Sequence, residues 1–343
     1  VSALAAAYGS GLEDGGVMAV AKHFPGHGDT STDSHKTTPI VEHDLATMTD
    51  VDLQPFRGFI EAGLGGVMAG HIIVPSLDGS RRPASASVAM TTNLLRDKMD
   101  FDGIVFTDAL IMKGAANNGK RNVVEAFLAG ADALLSSEAP VRDLDDLMLA
   151  VKNGRISQSD IDSRCRRILS FKYALGLVSR QQTATANITE LVASPRAEAV
   201  NRRLSAAVIT ALWNKDSMLP LPVDVAHENA IVNIGAPAKN DFSGMCARYT
   251  PVDCYGIGSA EHITASQLKK ISSHKNVVLA VYSNSAASHE NFARLAAACN
   301  NVSAVFFTGV YSLRKFLPSV KSTKALLLTY DDTHYLREYA AQA

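Results

Sequence analysis

The sequence predicts an α/β protein with mostly parallel strands, and three observations predict it. Short apolar runs alternate with segments of helical period. The runs are rich in Val, Ile, Ala and Leu at every position, as strands buried on both faces are. In the first part of the chain each run ends in polar residues or glycine, at Lys22-His23, Gly70-His71, Thr107-Asp108 and Ser136-Ser137. That end is the carboxyl edge, where parallel α/β folds collect function.

Taken in order, strands are expected over 17–23, 66–71, 103–108 and 131–136. Helices are expected over 52–62, 91–99, 122–129, 144–151 and 159–175, the last stopped by Gly176. Four βα units in about 180 residues make either a small open sheet or half of an eight-stranded barrel, which takes about 250. The polar stretch 179–198 has no strong period and reads as a linker. Beyond it, strands are expected over 230–235, 277–282, 302–307 and 325–330, with helices between them and one near 333–341. The chain starts without Met or a basic leader and stops inside a helical pattern without a cap, so truncation at both ends is expected.

Of the 343 residues, 47% are hydrophobic, with 33 basic residues against 34 acidic. That balance excludes a disordered chain and removes the electrostatic case for nucleic acid or an anionic membrane surface as partner. A small molecule is the expected partner. Cys165, Cys246, Cys254 and Cys299 are too scattered for a disulfide framework and form no CxxC pair. No apolar run reaches the ~18–20 residues of a membrane span.

The most informative segment is Lys22-His23-Phe24-Pro25-Gly26-His27-Gly28-Asp29, followed after three residues by Asp33-Ser34-His35. Its glycines and proline allow close approach of a ligand. Asp33 can hold one imidazole nitrogen of His35 and leave the other free to exchange a proton. A second segment, residues 101–110, is an apolar strand delivering one carboxylate, Asp108, at its C-terminal end, the usual way to place a nucleophile or base. Read alone, Asp108 could equally be a helix N-cap. A third segment, residues 66–71, brings His71 to the same edge. His27 and Asp29 are expected to shape the loop, and His43, Asp44 and Asp50 to sit on a solvated turn. A zinc cluster of His23, His27, Asp29, Asp33 and His35 is disfavoured, because the spacing fits no helix face and no HExxH occurs.

The KHFPGHGD segment, the DSH after it, the GVMAGHI strand and FDGIVFTDAL together resemble glycoside hydrolase family 3, specifically its β-N-acetylglucosaminidase branch. Order and spacing match over residues 19–117. The resemblance implies the C-terminal half of a (β/α)8 TIM-like barrel over residues 1–178 and, after the linker, an α/β sandwich domain over 199–343. It implies Asp108 as the nucleophile and His35, paired with Asp33, as the general acid and then base. Lys22 and His23, with His71 at the same edge, would bind the sugar.

Physical reasoning agrees with these roles. A retaining glycosidase needs one ionised group to attack and one protonated group to donate. An aspartate supplies the ionised group at neutral pH, while His35 beside Asp33 is expected to hold its proton toward neutrality.

The expected activity is therefore hydrolysis of terminal β-linked GlcNAc from small saccharides such as peptidoglycan fragments, without cofactor or metal. The alternatives are a β-glucosidase or β-xylosidase of the same family, a phosphorylase, since an imidazole repels incoming phosphate less than a glutamate would, or a carbohydrate-binding or structural fragment. The expected partners are a small saccharide and the missing barrel half of the same parent chain, which would cover exposed strand edges. The two-domain resemblance leans toward the cell envelope, periplasm or exterior.

Overall fold

The structure is a computed structural model of the 343-residue chain. It describes residues 1–28, 30, 38–112, 123–135, 139–179, 186–222 and 228–343. The chain divides into two compact units, Val1–Gln182 and Thr183–Ala343.

In the first unit three parallel strands, β1 (Val20–Phe24), β2 (Gly66–Ala69) and β3 (Ile104–Thr107), lie in sequence order. Helical segments follow β1 at Gln54–Glu61 and β2 at Ala89–Lys98, so each crossover returns to the same sheet edge as βαβ units require. The core gathers beneath that sheet. Phe24 meets Phe56 edge to face, with ring centroids 5.2 Å apart, and Val67, Ala69, Val105, Met48 and Met90 fill the space around them. Three further helices follow, Val123–Ala129, Pro140–Lys152 and Gln158–Ala174. The last starts in a capping box, in which Ser157 accepts from the Asp160 N–H and Asp160 from the Ser157 N–H.

Of the expected fourth strand over 131–136, the described residues 131–135 form a single bridge, between Phe106 and Ala133. Asp132 is the reason: its N–H bonds to the Val105 carbonyl, but its carboxylate also takes the Val105 N–H at 2.8 Å and turns the segment away from a regular ladder. An unexpected helix, Ser2–Asp14, opens the chain. It packs closely because Gly9 is there: a Cβ at that position would collide with Leu64.

The second unit is a six-stranded sheet of order β4-β9-β8-β7-β5-β6. The strands are β4 (Thr210–Asn214), β5 (Asn229–Ile234), β6 (Val252–Ile257), β7 (Asn276–Val281), β8 (Asn301–Phe306) and β9 (Ala325–Leu328). All pairs are parallel except β4 with β9.

Alternate residues of each central strand feed two cores, which is why these strands read as continuous apolar runs. Ala230, Val232, Ile234, Leu279 and Phe306 meet Phe292 and Leu295 of helix Ala286–Ala298. Ile231, Val278, Ala280 and Val305 meet Phe242 of helix Asp241–Cys246 and Ala340 of helix His334–Gln342. The unit is thus a three-layer α/β sandwich. The stretch 179–198 carries helix Ile188–Val192 and the first turn of helix Pro195–Val208.

Candidate active site

The parallel order β1-β2-β3 sends all three C-terminal ends to one edge of the first unit. The register aligns Lys22 with Met68 and Met68 with Phe106, then shifts between Lys22 and Phe24. His23 falls in that bulge, and bulges re-aim the side chain they carry. Beyond the ladder the edge stays hydrogen bonded, with the Gly70 N–H on the Phe24 carbonyl and the Asp108 N–H on the Ala69 carbonyl, each at 2.9 Å.

Asp108 therefore stands one residue past β3, its side chain 14% exposed. Its Oδ1 accepts the Ala109 N–H at 2.8 Å, and its Oδ2 faces His23 Nε2 at 3.6 Å, beyond hydrogen-bond length. Burial lowers the His23 pKa, while the Asp108 charge pulls it back up. Among the described residues, Asp108 Oδ2 thus faces an imidazole whose burial disfavours its charged form.

His27 sets its ring edge against His23, centroids 5.8 Å apart, and its Nδ1 lies 2.7 Å from Thr30 Oγ1. Lys22 is exposed, and with His23, His27 and Asp52 it lines a hollow of about 690 Å³.

The structure brings Asp108, His23 and His71 to the same edge. His71 is 1% exposed, and both ring nitrogens are engaged, Nδ1 with Ser85 Oγ at 2.7 Å and Nε2 with the Ala109 carbonyl at 3.0 Å, so its polar contacts here are with Ser85 and the backbone beside Asp108. Asp33 and His35 lie outside the described residues, as does Asp29. Both ends of their loop are nevertheless placed. It leaves from the end of β1 and returns through Pro39–Val41, where the Ile73 N–H donates to the Pro39 carbonyl and the Val41 N–H to the Ile73 carbonyl, each at 2.9 Å. Ile73 lies two residues past His71.

His43 also departs from expectation. It is half-buried, and its Nδ1 lies 2.8 Å from Asp52 Oδ2. Asp52 in turn presses on Gly26, whose φ of +147° and missing Cβ permit the approach. Asp44 does sit on an exposed turn, capping the Thr47 N–H. The His43–Asp52 pair and Ser85 were not legible as site residues, since Asp52 and Ser85 come from short helical turns outside the strand ends. Among the described residues no three His, Cys, Asp or Glu side chains gather as a metal site would need.

A parallel α/β sheet that presents one carboxylate and several imidazoles at its carboxyl edge, in a chain with a second, three-layer α/β unit, defines the class of protein. Residues 1–171 match the glycosyl hydrolase family 3 N-terminal domain, and the chain belongs to that family. It is 41% identical over 152 residues to a β-hexosaminidase of Chromobacterium violaceum, covering 44% of this chain and 42% of that protein. It is 34% identical over 243 residues to β-hexosaminidase A of Pseudoalteromonas piscicida, covering 64% and 40%. A solved family 3 β-N-acetylglucosaminidase from Paenibacillus sp. FPU-7 superposes with a TM-score of 0.77 at 26% identity, over 97% of this chain and 66% of that one. The half barrel followed by an α/β sandwich accords with that neighbour. The chain spans about two fifths of the length of these two curated relatives.

Proposed function

We propose that the protein is a retaining β-N-acetylglucosaminidase that removes terminal β-linked GlcNAc from small saccharides, peptidoglycan fragments among them. One observation carries the reading: Asp108 is held at the end of β3 with one oxygen on the Ala109 N–H and the other facing His23 at 3.6 Å, at the edge where both ends of the Asp33/His35 loop are tied. The relatives named β-hexosaminidase supply the substrate class.

In this reading Asp108 Oδ2 attacks the anomeric carbon as the glycosidic C–O bond breaks, and His35 gives its proton to the leaving oxygen. Water then attacks the glycosyl-Asp108 ester, surrendering a proton to His35, and the sugar leaves with its β configuration restored. Asp33 keeps the imidazole oriented, and Lys22 and His23 bind sugar hydroxyls.

The test compares initial rates on aryl β-N-acetylglucosaminide and aryl β-glucoside. GlcNAc turnover is expected to dominate, to fall at least about 10³-fold in Asp108→Asn, and to fall about 10²–10⁴-fold in His35→Ala. Glucoside turnover that survives His35→Ala overturns the assignment of the acid. Added phosphate should leave the rate unchanged and yield no sugar 1-phosphate, the opposite result marking a phosphorylase.

A further inference from the structure

Resting on the reading of Asp108 as the reacting carboxylate, we infer that His71, locked by Ser85 into the tautomer with its proton on Nε2, is a positioning residue for Asp108. The chemistry of each partner fixes where the proton sits. The Ala109 carbonyl only accepts, so the ring nitrogen 3.0 Å from it must carry the proton. In a neutral ring Nδ1 is then a lone pair, and Ser85 Oγ at 2.7 Å must donate to it. Burial holds the ring neutral, for His71 is 1% and Ser85 3% exposed, and the His71 pKa is lowered chiefly by desolvation. Ser85 is itself fixed by its N–H to the Gly70 carbonyl at 3.0 Å, one residue before His71.

Ala109 is the link. Its N–H donates to Asp108 Oδ1 and its carbonyl accepts from His71, so the residue that aims the carboxylate is pinned on its far side by the imidazole. Met112 adds a turn bond of 3.0 Å to the same carbonyl, which closes the segment but bears on it from the chain rather than from the sheet edge. The flanks stay tied by the Asp108 N–H on the Ala69 carbonyl and the Leu110 N–H on the Leu135 carbonyl, each at 2.9 Å. Loss of the His71 donor loosens the Ala109 peptide between them and lets the carboxylate tilt from in-line attack, and displacements of about 1 Å cost on the order of 10²-fold in rate.

The experiment uses His71→Leu, His71→Gln and Ser85→Ala beside the wild-type protein and Asp108→Asn, with folding checked by circular dichroism and thermal melting. His71→Leu is expected to lower kcat about 10–100-fold with KM within about twofold. His71→Gln restores a donor toward the Ala109 carbonyl and an acceptor toward Ser85, and is expected to recover most of that loss. A glutamine variant as slow as the leucine variant, or a folded leucine variant at wild-type rate, overturns the inference. The second measurement needs no substitution: ¹⁵N NMR of the histidine-labelled wild-type protein should show one neutral ring protonated at Nε2 that changes in Ser85→Ala. The opposite tautomer, or an imidazolium, overturns it as well. A wild-type protein inactive on every glycoside, or an active Asp108→Asn, instead defeats the reading of Asp108, so the two failures are distinct.

Discussion

At the scale of single residues, two imidazoles close enough to feel the Asp108 charge make a prediction about pH. Both His23 and His71 have pKa values lowered from 6.5, in each case mainly by burial, with Asp108 acting in the opposite sense. An unfolded chain takes up protons near 6.5 that the folded rings refuse, so folding stability is complete above that value and is lost as pH falls through the lowered folded values. Carboxylates held below their ordinary values, Asp44 by the Thr47 N–H and Glu198 by Tyr335 and Arg202, act below 3.8 and 4.5 and so lie under this window. The melting temperature is expected to be lower at pH 5 than at pH 8, and His71→Gln, which removes one of the titrating rings, should shrink that difference; an unchanged difference counts against burial of His71 as a neutral ring. The legibility of the site follows the same division. Asp108, His23 and His71 could be read in the sequence because each ends an apolar strand, and strand ends of a parallel sheet share an edge. Ser85, Asp52 and His43 could not, because they arrive from short helical turns and connections whose course depends on tertiary packing. Asp132 was open to notice, since a charged residue inside an apolar run calls for partners.

Those partners decide how β3 is held. The Asp132 side chain is fully buried, and it takes the Val105 N–H, an Arg96 guanidinium N–H and an Arg167 N–H at 2.6 Å. Arg96 also donates to the Phe101 carbonyl at 2.9 Å and to that of Gly103, so the start of β3 is clamped on both sides. Asp132→Asn leaves two guanidinium groups short of their counter-charge, and a loss of about 3–5 kcal/mol is expected from urea denaturation. Gly103→Ala attacks the same element sterically, since a Cβ there would strike the Gly65 carbonyl and the Phe101 ring; about 1–3 kcal/mol is expected from the same measurement. A neutral outcome for either variant would mean that β3 is not anchored at this end. Central strands were legible for the reason they are stable: buried on both faces, they read as apolar runs. The two strands that escaped notice, β4 and β6, are the edges of their sheet and are largely exposed or half-buried, so their sequences carry mixed character. Helix Ser2–Asp14 escaped because Gly9 and Gly11 and the lack of a side-chain cap hide its period.

At the scale of the whole molecule, the hydrophobic cores share no residue. Among the described residues the core of the first unit draws on residues up to Leu134, while both cores of the second begin beyond Val208. A chain with separate cores has the ingredients of separate cooperative units. The protein supplies its own reporter, because its one tryptophan, Trp213, lies on β4, packs against the core around Phe292 and donates its indole N–H to the Thr323 carbonyl at 3.1 Å. Tryptophan fluorescence therefore follows the second unit. Phe292 is fully buried among Phe306 and Phe316, so Phe292→Ala is expected to cost about 3–5 kcal/mol and to lower the urea midpoint of the fluorescence transition. Asp132→Asn removes comparable stability from the other core and should leave that midpoint where it was, while lowering the transition seen by far-ultraviolet ellipticity, to which both units contribute. A fluorescence midpoint that follows Asp132→Asn as closely as Phe292→Ala would show that the cores melt as one cooperative unit despite sharing no side chain. Stability lost at the base of β3 would then reach Trp213, and the effect of any substitution near Asp108 on the fold would have to be read from the whole chain.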